Sequence, residues 1–597
     1  MPDTQDLSTR RARLTAEQLV RLKERLRGAA GADLDAATTP RSGPDAIGRR
    51  PDDAPAPLSP AQRRQWFLWK LDSARTAYHL SGGLLLAGRL DAEALRLGLR
   101  ALAHRHASLR TVFEEAEDGE VVQHVVELAE GHWDSIDLRR LDPARQDDAV
   151  QAHLRRIRGQ AFDLRCGPLM RTLLLRTGED AHLLLVVMHH IVSDGWSVQL
   201  ILDELAQEYA ARVAGGTPVH SPLPIQYTDY AAWQNRWLDG ADGAASAEEC
   251  RRQLDWWRTR LGSGHPVLQL GTDHPRRADG RYRAAHHRVV LPASTVQALR
   301  RQSQALGATL FMALLAAFDA LLFRHTMQQD LRVGVPIANR HRTETAGVVG
   351  FFVNTQVLPA RLDARMTLVE LLAQVRDTAI GAQANQDLPF ERLVGLLRPE
   401  RSLSANPLFQ VMFNHVRRDH RSLAQWPGLV VERLDFEEED AQFELTLQTL
   451  EREDGSVEAT LIHAAELFDP QTIERMAGHY LALLRALAEH PEQAVGDVAL
   501  MDEAETLQLR AWSENPETYE DTRLVHAQIA EQALRCPDAV AVVFGETQLS
   551  YGELDARANR LAHRLIALGV GPEVRVGIAV ERSLEMVVGL LAVLKAG

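Results

Sequence analysis

The most constraining feature of this 597-residue sequence is a strand pattern that runs directly into two histidines. Residues 183–188 are all apolar, and a short run of this kind is typical of a buried strand. His189 and His190 follow it, then comes a loop with Asp194 and Gly195, and a helix pattern begins shortly afterwards. Because α/β proteins place reactive groups at the ends of strands, the segment predicts an α/β fold with a functional site at this point.

Strand and helix patterns alternate on both sides of this segment. Ser59 and Pro60 suit the N-cap and first position of a helix, and a second α/β stretch extends from about residue 282 to 500. The simplest interpretation is two α/β lobes. The further predicted elements are strands at residues 84–86, 331–335 and 348–353, a helix carrying Trp66, Phe67 and Trp69, a helix capped by Asp91 with Leu95, Leu99 and Leu102 on one face, and helices at 310–323 and 368–380.

Less regular segments surround the two lobes. Residues 15–28 predict one amphipathic helix, and the residues that follow it are rich in Ala, Pro, Gly, Asp and Arg without an apolar period, which favours a flexible linker. A polar connector with a proline occupies residues 513–521, and a new helix, strand and helix pattern begins near Leu524. The predicted units are residues 1–57 (helix and linker), 58–280 (first lobe), 281–500 (second lobe), 501–523 (linker) and 524–597 (a further α/β segment).

Charge and cysteine content exclude several classes of protein. The net charge of −14 and a pI near 5.9 argue against general binding to nucleic acid or to anionic membranes. The three cysteines lack CxxC spacing, so neither a disulfide framework nor a thiolate zinc site is expected. The first residues contain no apolar stretch that suits a signal peptide, and we expect a cytoplasmic location.

The histidine pair offers the clearest chemistry. Neighbouring residues of a strand point to opposite faces, so His189 and His190 should have different roles if both are extended. Histidine titrates near neutral pH and can accept or hold the proton of an amine or hydroxyl nucleophile, as acyl transfer requires. Three other interpretations remain open: a buried structural histidine, a helix cap or an ion pair at Asp194, and a zinc site, against which the missing HExxH spacing argues.

An ordered series of motifs surrounds the pair, and together they resemble the condensation domains of nonribosomal peptide synthetases, whose superfamily includes chloramphenicol acetyltransferase. The central motif is HHxxxDG, from His189 to Gly195. The resemblance covers about residues 58 to 500. Its other members are Leu58, Ser59, Pro60, Ala61, Gln62, Arg64 and residues 66–68; Arg105, His106, residues 109–111 and Phe113; Tyr227, Asp229, Tyr230, Ala231, Trp233 and Gln234; residues 333–340 and 350–355; residues 385–387 and 389–391; and residues 406–413 and 443–447.

Three positions depart from the family's usual residues. Ala107 stands where glutamate is usual, Asn385 replaces a histidine, and Glu444 replaces the commoner aspartate. The departure at Ala107 puts a charge contact in doubt, and all three lie outside the histidine pair.

The C-terminal segment resembles the beginning of an adenylation domain. This second resemblance covers residues 524–597, and the phosphate-binding loop and catalytic lysine of that family would lie beyond it. It rests on Leu549, Ser550, Tyr551, Glu553, Leu554, Arg557, Ala558, Asn559, Leu561 and Ala562, and on residues 594–597.

The first resemblance implies a fold and a set of residue roles. It implies two chloramphenicol acetyltransferase-like lobes in a V-shaped pseudo-dimer, with an N-terminal helical appendage and a tunnel through the lobe junction. His190 would act on the attacking amine, as a general base or as a positioning group, while His189 would pack in the lobe or orient the loop. The remaining roles are Asp194 paired with Arg110 or Arg340, Gly195 at a tight turn, Trp196 and Ser197 as support of the site, and Asn354, Thr355 and Gln410 as candidate tunnel residues.

The resemblance also implies the reaction and its partners. A donor acyl thioester and the amine of an acceptor aminoacyl thioester would form an amide, with no metal or nucleotide bound by this chain. The substrates would be carried on the phosphopantetheine of carrier proteins or on coenzyme A. Only 58 residues precede Ser59, so we expect the donor to arrive in trans, with a fatty acyl group as one candidate. Residues 15–28 could dock its carrier or pack on the lobe.

There are four alternatives to amide formation, three of them enzymes and one a binding protein without catalytic activity. They are an ester-forming acyltransferase, an epimerisation domain, a heterocyclisation domain and a silent platform that recruits partner enzymes. The histidine pair argues against heterocyclisation, which uses aspartates there, and against a silent platform, which typically lacks the second histidine.

Overall fold

The computed structural model describes residues 46–50, 55–73, 76–127, 133–277, 280–397, 406–419, 421–437, 439–515 and 522–597. The chain divides into two compact units, with the boundary between Asp502 and Glu503. The helix predicted at residues 15–28 and most of the linker predicted after it lie outside the described residues. The mixed α/β class is confirmed, and the larger unit contains two lobes that each have their own sheet.

Fifteen α-helices lie within the described residues. They are α1 (Pro60–Leu71), α2 (Ala92–Arg105), α3 (Pro143–Gly159), α4 (Gly195–Val213), α5 (Tyr227–Leu238), α6 (Ala244–Leu261), α7 (Ala293–Ala305), α8 (Leu310–Thr326), α9 (Leu368–Gln383), α10 (Phe390–Leu397), α11 (Pro470–Glu489), α12 (Glu503–Ser513), α13 (Val525–Arg535), α14 (Tyr551–Ala567) and α15 (Leu584–Ala596).

The strands of the same part of the chain form four sheets. The strands are β1 (Ala56–Pro57), β2 (His79–Gly88), β3 (Thr111–Glu115), β4 (Val121–Val125), β5 (Trp133–Asp137), β6 (Met170–Arg176), β7 (Ala181–His189), β8 (Tyr282–Leu291), β9 (Asp330–Ile337), β10 (Asn354–Arg361), β11 (Val411–Arg417), β12 (Leu429–Asp435), β13 (Asp440–Ala441), β14 (Leu445–Glu451), β15 (Val457–Ala464), β16 (Val540–Phe544) and β17 (Thr547–Ser550).

The N-lobe is built on a five-stranded sheet with the order β12-β2-β7-β6-β5. β7 lies at its centre, and the apolar run predicted as a buried strand forms most of it. Helices α2 and α4 pack against each other, with Leu99 and Leu205 in their shared core. The buried strand and its helix together fix the position at which the histidine pair leaves the sheet.

The C-lobe is built on a seven-stranded sheet with the order β10-β9-β11-β14-β15-β8-β13. Most neighbours are antiparallel, but β11 runs parallel to both β9 and β14. Helix α8 is buried along most of its length, from Leu310 to Phe323, because α7, α9 and α11 pack around it.

One strand of the C-lobe segment belongs to the N-lobe sheet. β12 pairs antiparallel with β2 over seven residues, from Leu429 opposite Gly88 to Asp435 opposite Gly82. The main chain therefore joins the two lobes by sheet hydrogen bonds as well as by side-chain packing.

Most predicted elements are confirmed, including α1, α2, α8, α9, β7 and β9. The strand predicted at residues 348–353 is wrong, because β10 begins only at Asn354. The apolar residues suggested a strand, but side chains of the N-lobe bind the main chain of this segment instead. The predicted linker also ends too late, since Ala56 and Pro57 pair with β4.

The smaller unit contains the predicted helix, strand and helix pattern. Its core is formed by α14, α15 and the β16–β17 hairpin, with Leu549, Leu554 and Leu591 buried. The linker predicted at residues 501–523 differs from the structure in that α12 occupies residues 503–513. Residues 516–521 lie outside the described part of the chain.

Among the helices that the structure describes, none is by itself both long and apolar enough to cross a membrane. Helices α7 and α8 meet the length and composition criteria only as a pair, and the chain bends by 101° between them.

A buried carboxyl group in α8 gives the first testable expectation. Asp319 is 2% exposed, its Oδ1 has no hydrogen-bond partner among the described residues, and burial raises its pKa well above the ordinary value. Its protonated form therefore contributes stability that is fully present below the unfolded pKa near 3.9 and is lost as the pH rises through the folded pKa. We expect Asp319→Asn to raise the free energy of unfolding at pH 8 by about 1–3 kcal/mol.

Chemical denaturation at pH 5 and pH 8 measures this effect. The gain should be larger at pH 8, because the amide of the variant needs no proton to remain neutral. Asp377→Asn, at an exposed position of α9, is the matched control and should change little at either pH. A loss of stability in the Asp319 variant, or an equal gain at both values, would contradict the assignment.

Candidate active site

The histidine pair lies where β7 ends. His189 is the last residue of β7, pairs with His79 of β2 and is 3% exposed. His190 begins a short 3-10 turn, and its main-chain N–H donates to the carbonyl of Tyr78 at 2.9 Å. The chain then passes through Ser193 and starts α4. The main chain is therefore fixed on both sides of the histidine pair, by the strand before it and the helix after it.

The ring of His190 has a defined tautomer. Its Nδ1 lies 3.0 Å from the main-chain carbonyl of Ser193, and a carbonyl oxygen can only accept. Nδ1 must therefore carry the proton, and in the neutral ring Nε2 has a free lone pair. Within the described part of the chain, no protein group hydrogen bonds to Nε2. The arrangement leaves one basic nitrogen available to a substrate.

The ring of His189 is held in the opposite tautomer. Its Nδ1 accepts from the main-chain N–H of Ile191 at 3.1 Å, so the neutral ring carries its proton on Nε2. The rings of His79 and Phe162 lie edge-on to it at about 6 Å between centroids. His189 thus contacts the turn from inside the lobe, and its orienting role stays a prediction.

Burial favours the uncharged form of both histidines. Burial lowers the pKa of His190, although the charge of Asp194 and the hydrogen bond to Ser193 oppose the shift. Burial lowers the pKa of His189 well below its ordinary value, and the neighbouring His79 and His190 add to that effect. A neutral His190 with its proton on Nδ1 can accept a proton at Nε2.

Asp194 joins the N-lobe loop to the C-lobe. Its carboxylate accepts from the N–H of Ser197, which caps α4, and pairs with Arg340 at 3.1 Å. Both side chains are essentially inaccessible to solvent. Arg340 is one of the two predicted partners. The other, Arg110, is excluded because its guanidinium donates to main-chain carbonyls, among them that of Val126.

A four-residue stretch of the C-lobe, residues 349–352, passes directly beside the site, and we call it the crossing segment. Each of its residues is hydrogen bonded to an N-lobe side chain. The bonds are Ser108 Oγ to the Val349 carbonyl (2.7 Å), Ser197 Oγ to the Gly350 carbonyl (3.0 Å), Tyr227 Oη to the Phe351 carbonyl (2.7 Å), and the Phe352 N–H to Asp194 (3.0 Å).

The crossing segment brings Phe351 to His190, a contact that the sequence did not predict. The ring centroids are 5.3 Å apart, with an angle of 59° between the planes. One signal was present in the motif: Gly350 cannot gain a side chain, because a Cβ there would lie 2.1 Å from the ring of Tyr227. The glycine therefore marks a close approach of two motifs that are distant in sequence.

Gly195 has a different role from the predicted tight turn. It is the first residue of α4 and does not have a positive φ. A Cβ built there would meet no atom of the described residues within 4 Å. The glycine leaves open space next to the histidine turn.

The other predicted site residues fall into two groups. Ser197 bonds to Arg340 and Trp196 donates to the Ala346 carbonyl, so both link α4 to the C-lobe. Asn354 and Gln410 use their side-chain amides for main-chain groups, among them the N–H of Leu268, which donates to Gln410. A role for Asn354, Thr355 or Gln410 in lining a tunnel stays a prediction.

The positions that depart from the resemblance have local partners. The N–H of Ala107 donates to Gln226 at 3.0 Å, and the side chain of Asn385 donates to a carbonyl of α9. Glu444 pairs with Arg276 at 2.6 Å. The contact at residue 107 is made by the main chain, and those at residues 385 and 444 are made by the side chains.

Comparison with known families agrees with both sequence resemblances. The Condensation domain family matches residues 53–510, which is most of the chain. The AMP-binding enzyme family matches residues 529–597.

Individual relatives agree with the family matches. A linear gramicidin synthase protein of Brevibacillus parabrevis is 40% identical over 551 residues, which is 92% of this chain and 7% of that protein. The phosphinothricin tripeptide synthetase PhsC of Streptomyces viridochromogenes is 39% identical over 600 residues, which is 99% of this chain and 53% of that protein. The chain spans only about a tenth of the length of the gramicidin synthases that it matches, and about half of PhsC.

Two solved structures share the fold. The X-domain from teicoplanin biosynthesis is 29% identical, with a TM-score of 0.69, and the match covers 76% of this chain and all of that domain. A variant of the starter condensation domain of rhizomide synthetase RzmA in complex with C8-CoA is 20% identical, with a TM-score of 0.64, over 75% of this chain and 98% of that one. The chain therefore belongs to the condensation domain family of nonribosomal peptide synthetases and continues into the start of an AMP-binding domain.

Proposed function

We propose that this chain joins a donor acyl thioester to the amine of an acceptor aminoacyl thioester, with His190 acting on the amine. Condensation domains of nonribosomal peptide synthetases are acyltransferases that form peptide bonds. The observation that carries the proposal is the free Nε2 of His190, which belongs to a neutral ring whose other nitrogen is bound to Ser193.

The proposed step balances without a further reagent. The amine nitrogen attacks the thioester carbonyl and passes a proton to Nε2 of His190. The carbon–sulfur bond breaks, the amide forms, and the thiolate of the donor carrier takes up the proton. Proton handling of this kind contributes about 10²–10⁴ to a rate, and holding the two thioesters in register contributes further.

The residues around His190 would serve orientation. The buried pair of Asp194 and Arg340 fixes the turn between β7 and α4 against the C-lobe. The open space beside Gly195 would give room for the reacting carbonyl or the arm that carries it. In this proposal the protein binds and orients the two thioesters, and His190 carries the proton from the amine to the thiolate.

A second part of the proposal concerns the molecule that carries the donor acyl group. We infer that carrier proteins present both substrates on phosphopantetheine and that the donor is supplied in trans, with residues 15–28 as a docking segment for its carrier. A fatty acyl donor on coenzyme A is an option that the C8-CoA complex of the rhizomide starter domain makes worth testing.

Reconstitution with loaded carriers tests the function. The chain is mixed with an aminoacyl carrier and with either an acyl carrier or an acyl-coenzyme A, and the acceptor carrier is analysed by intact mass spectrometry. An amide product with the carrier-borne donor supports the proposal. A hydroxyacyl acceptor is the comparison: ester formation that exceeds amide formation would identify an ester-forming acyltransferase, and inverted stereochemistry without condensation would identify an epimerisation domain.

The same assay locates the donor's docking segment. A chain that begins at residue 46 keeps β1 and the contact of Arg50 with Asp229. A loss of rate confined to carrier-borne donors supports docking, whereas an equal loss with acyl-coenzyme A contradicts it. Product with acyl-coenzyme A alone would instead identify a domain that starts a lipopeptide.

A further inference from the structure

The position of the His190 ring depends on more than its hydrogen bond to Ser193. That bond fixes one nitrogen, but a ring held at one atom can still tilt about it. The ring of Phe351 lies 5.3 Å from the imidazole centroid, and the residue is 9% exposed. At this distance and at an angle of 59° between the planes, the Phe351 ring packs against the imidazole and limits its tilt.

Phe351 is itself held by one N-lobe hydroxyl. Tyr227 is 2% exposed, and its Oη lies 2.7 Å from the Phe351 carbonyl and 2.8 Å from Oγ of Ser59. The carbonyl can only accept, so Tyr227 donates to Phe351 and Ser59 donates to Tyr227. The ring of Tyr227 also covers Gly350, where no Cβ fits. Tyr227 therefore fixes the crossing segment both by packing and by a directed bond.

This route differs from the pairing of Asp194 with Arg340. The ion pair holds the turn that carries His190 and binds the main chain at the N–H of Phe352. Tyr227 binds one residue earlier, and it binds a carbonyl. Neighbouring residues of the crossing segment thus have separate supports, and among them only Phe351 has a ring contact with His190.

We propose that Phe351 and Tyr227 are positioning residues for the reaction: Phe351 holds the imidazole of His190 with Nε2 toward the substrate, and Tyr227 holds Phe351 through its main-chain carbonyl. The inference rests on the function proposed for His190. It gives two motifs, near residues 227 and 351, a role in positioning His190, where core packing would otherwise be their only role.

Two variants test it. Phe351→Leu removes the ring, and we expect kcat to fall roughly ten- to hundredfold with KM for the aminoacyl carrier little changed, since a small misplacement of a catalytic group reduces the rate more than binding. Tyr227→Phe deletes only the hydroxyl and keeps the ring over Gly350. Its kcat should fall in the same direction by a smaller factor, about three- to tenfold.

The pKa of His190, measured by NMR, distinguishes a misplaced ring from a general loss of structure. Burial lowers the pKa of His190, and the Phe351 ring packs against the imidazole, so its removal should admit water. In Phe351→Leu the His190 pKa should rise toward its ordinary value, and in Tyr227→Phe it should rise less. NMR titration of the 15N-histidine-labelled full chain measures it, with the His190 signal assigned by its absence in His190→Gln.

Phe311→Leu is the matched control, because Phe311 is a partly buried phenylalanine of the C-lobe that packs on Phe413. It should leave both kcat and the His190 pKa unchanged. Unchanged kcat and pKa in folded Phe351→Leu would overturn the proposal, as would equal losses in the Phe311 variant. If the wild type forms no amide, the function proposed for the chain fails, but the NMR comparison still decides whether Phe351 and Tyr227 position the ring.

Discussion

Replacing His190 with alanine is expected to lower amide formation by about 10²–10⁴ while the fold is retained. The variant loses the only nitrogen that we assign to the attacking amine. It loses only one side-chain hydrogen bond to the described residues, from Nδ1 to the Ser193 carbonyl. The rate should therefore fall far more than the free energy of unfolding.

The measurement is the initial rate of dipeptidyl-carrier formation by mass spectrometry, together with a thermal unfolding curve. His153→Ala is the matched control, because His153 is a half-buried histidine that lies on α3 and not in the turn. It should condense at the wild-type rate. Wild-type turnover in His190→Ala would contradict the assignment of the base, and a collapse of the unfolding transition would show that the ring is structural.

The second large effect is expected from Asp194→Ala, which should destabilise the larger unit by about 3–5 kcal/mol and abolish most activity. Arg340 would remain buried without its carboxylate, and α4 and the N–H of Phe352 would lose their acceptor. Removing one partner of a buried pair costs more than the pair contributes, because an uncompensated charge stays inside the protein.

A double variant distinguishes the cost of the unpaired Arg340 charge from the cost of the lost hydrogen bonds. Asp194→Ala combined with Arg340→Met removes both charges and should recover part of the lost stability, although the cap of α4 and the bond to Phe352 stay lost. Asp255→Ala is the control, since its pair with Arg258 is exposed and its loss should change the unfolding midpoint little. An unchanged midpoint in Asp194→Ala would contradict the structural role of the pair.

The sequence predicted the parts of the site that are local. The end of β7, the histidine pair and the helix after Asp194 follow from an apolar run, its termination and a cap, all within a few turns of chain. The sequence narrowed the partner of Asp194 to Arg110 or Arg340 but could not choose between them. That choice depends on how the C-lobe meets the N-lobe, and no local pattern encodes it.

The contacts between the lobes, which the sequence did not predict, arise between distant segments. The crossing segment was predicted as part of a strand because Val348, Val349, Phe351, Phe352 and Val353 suit one, yet its main chain bonds to side chains of the other lobe. The tautomers of the two histidines are set within the turn itself, but they depend on which main-chain group faces each nitrogen. Such contacts exist only in the folded chain, whereas apolar periodicity and helix caps can be recognised from residues that are close in sequence.

The exchange of β12 between the lobes sets a condition for recombining this chain with its relatives. A junction near residue 280 would place β2 of one parent beside β12 of the other, and a mismatch along this seven-residue pairing would weaken the edge of the sheet, where poor pairing favours aggregation. A hybrid that takes its first lobe from one parent should therefore take Leu429–Asp435 from the same parent. The residues that form the N-lobe sheet are therefore not one contiguous stretch of the gene, although their strands are neighbours in the folded sheet.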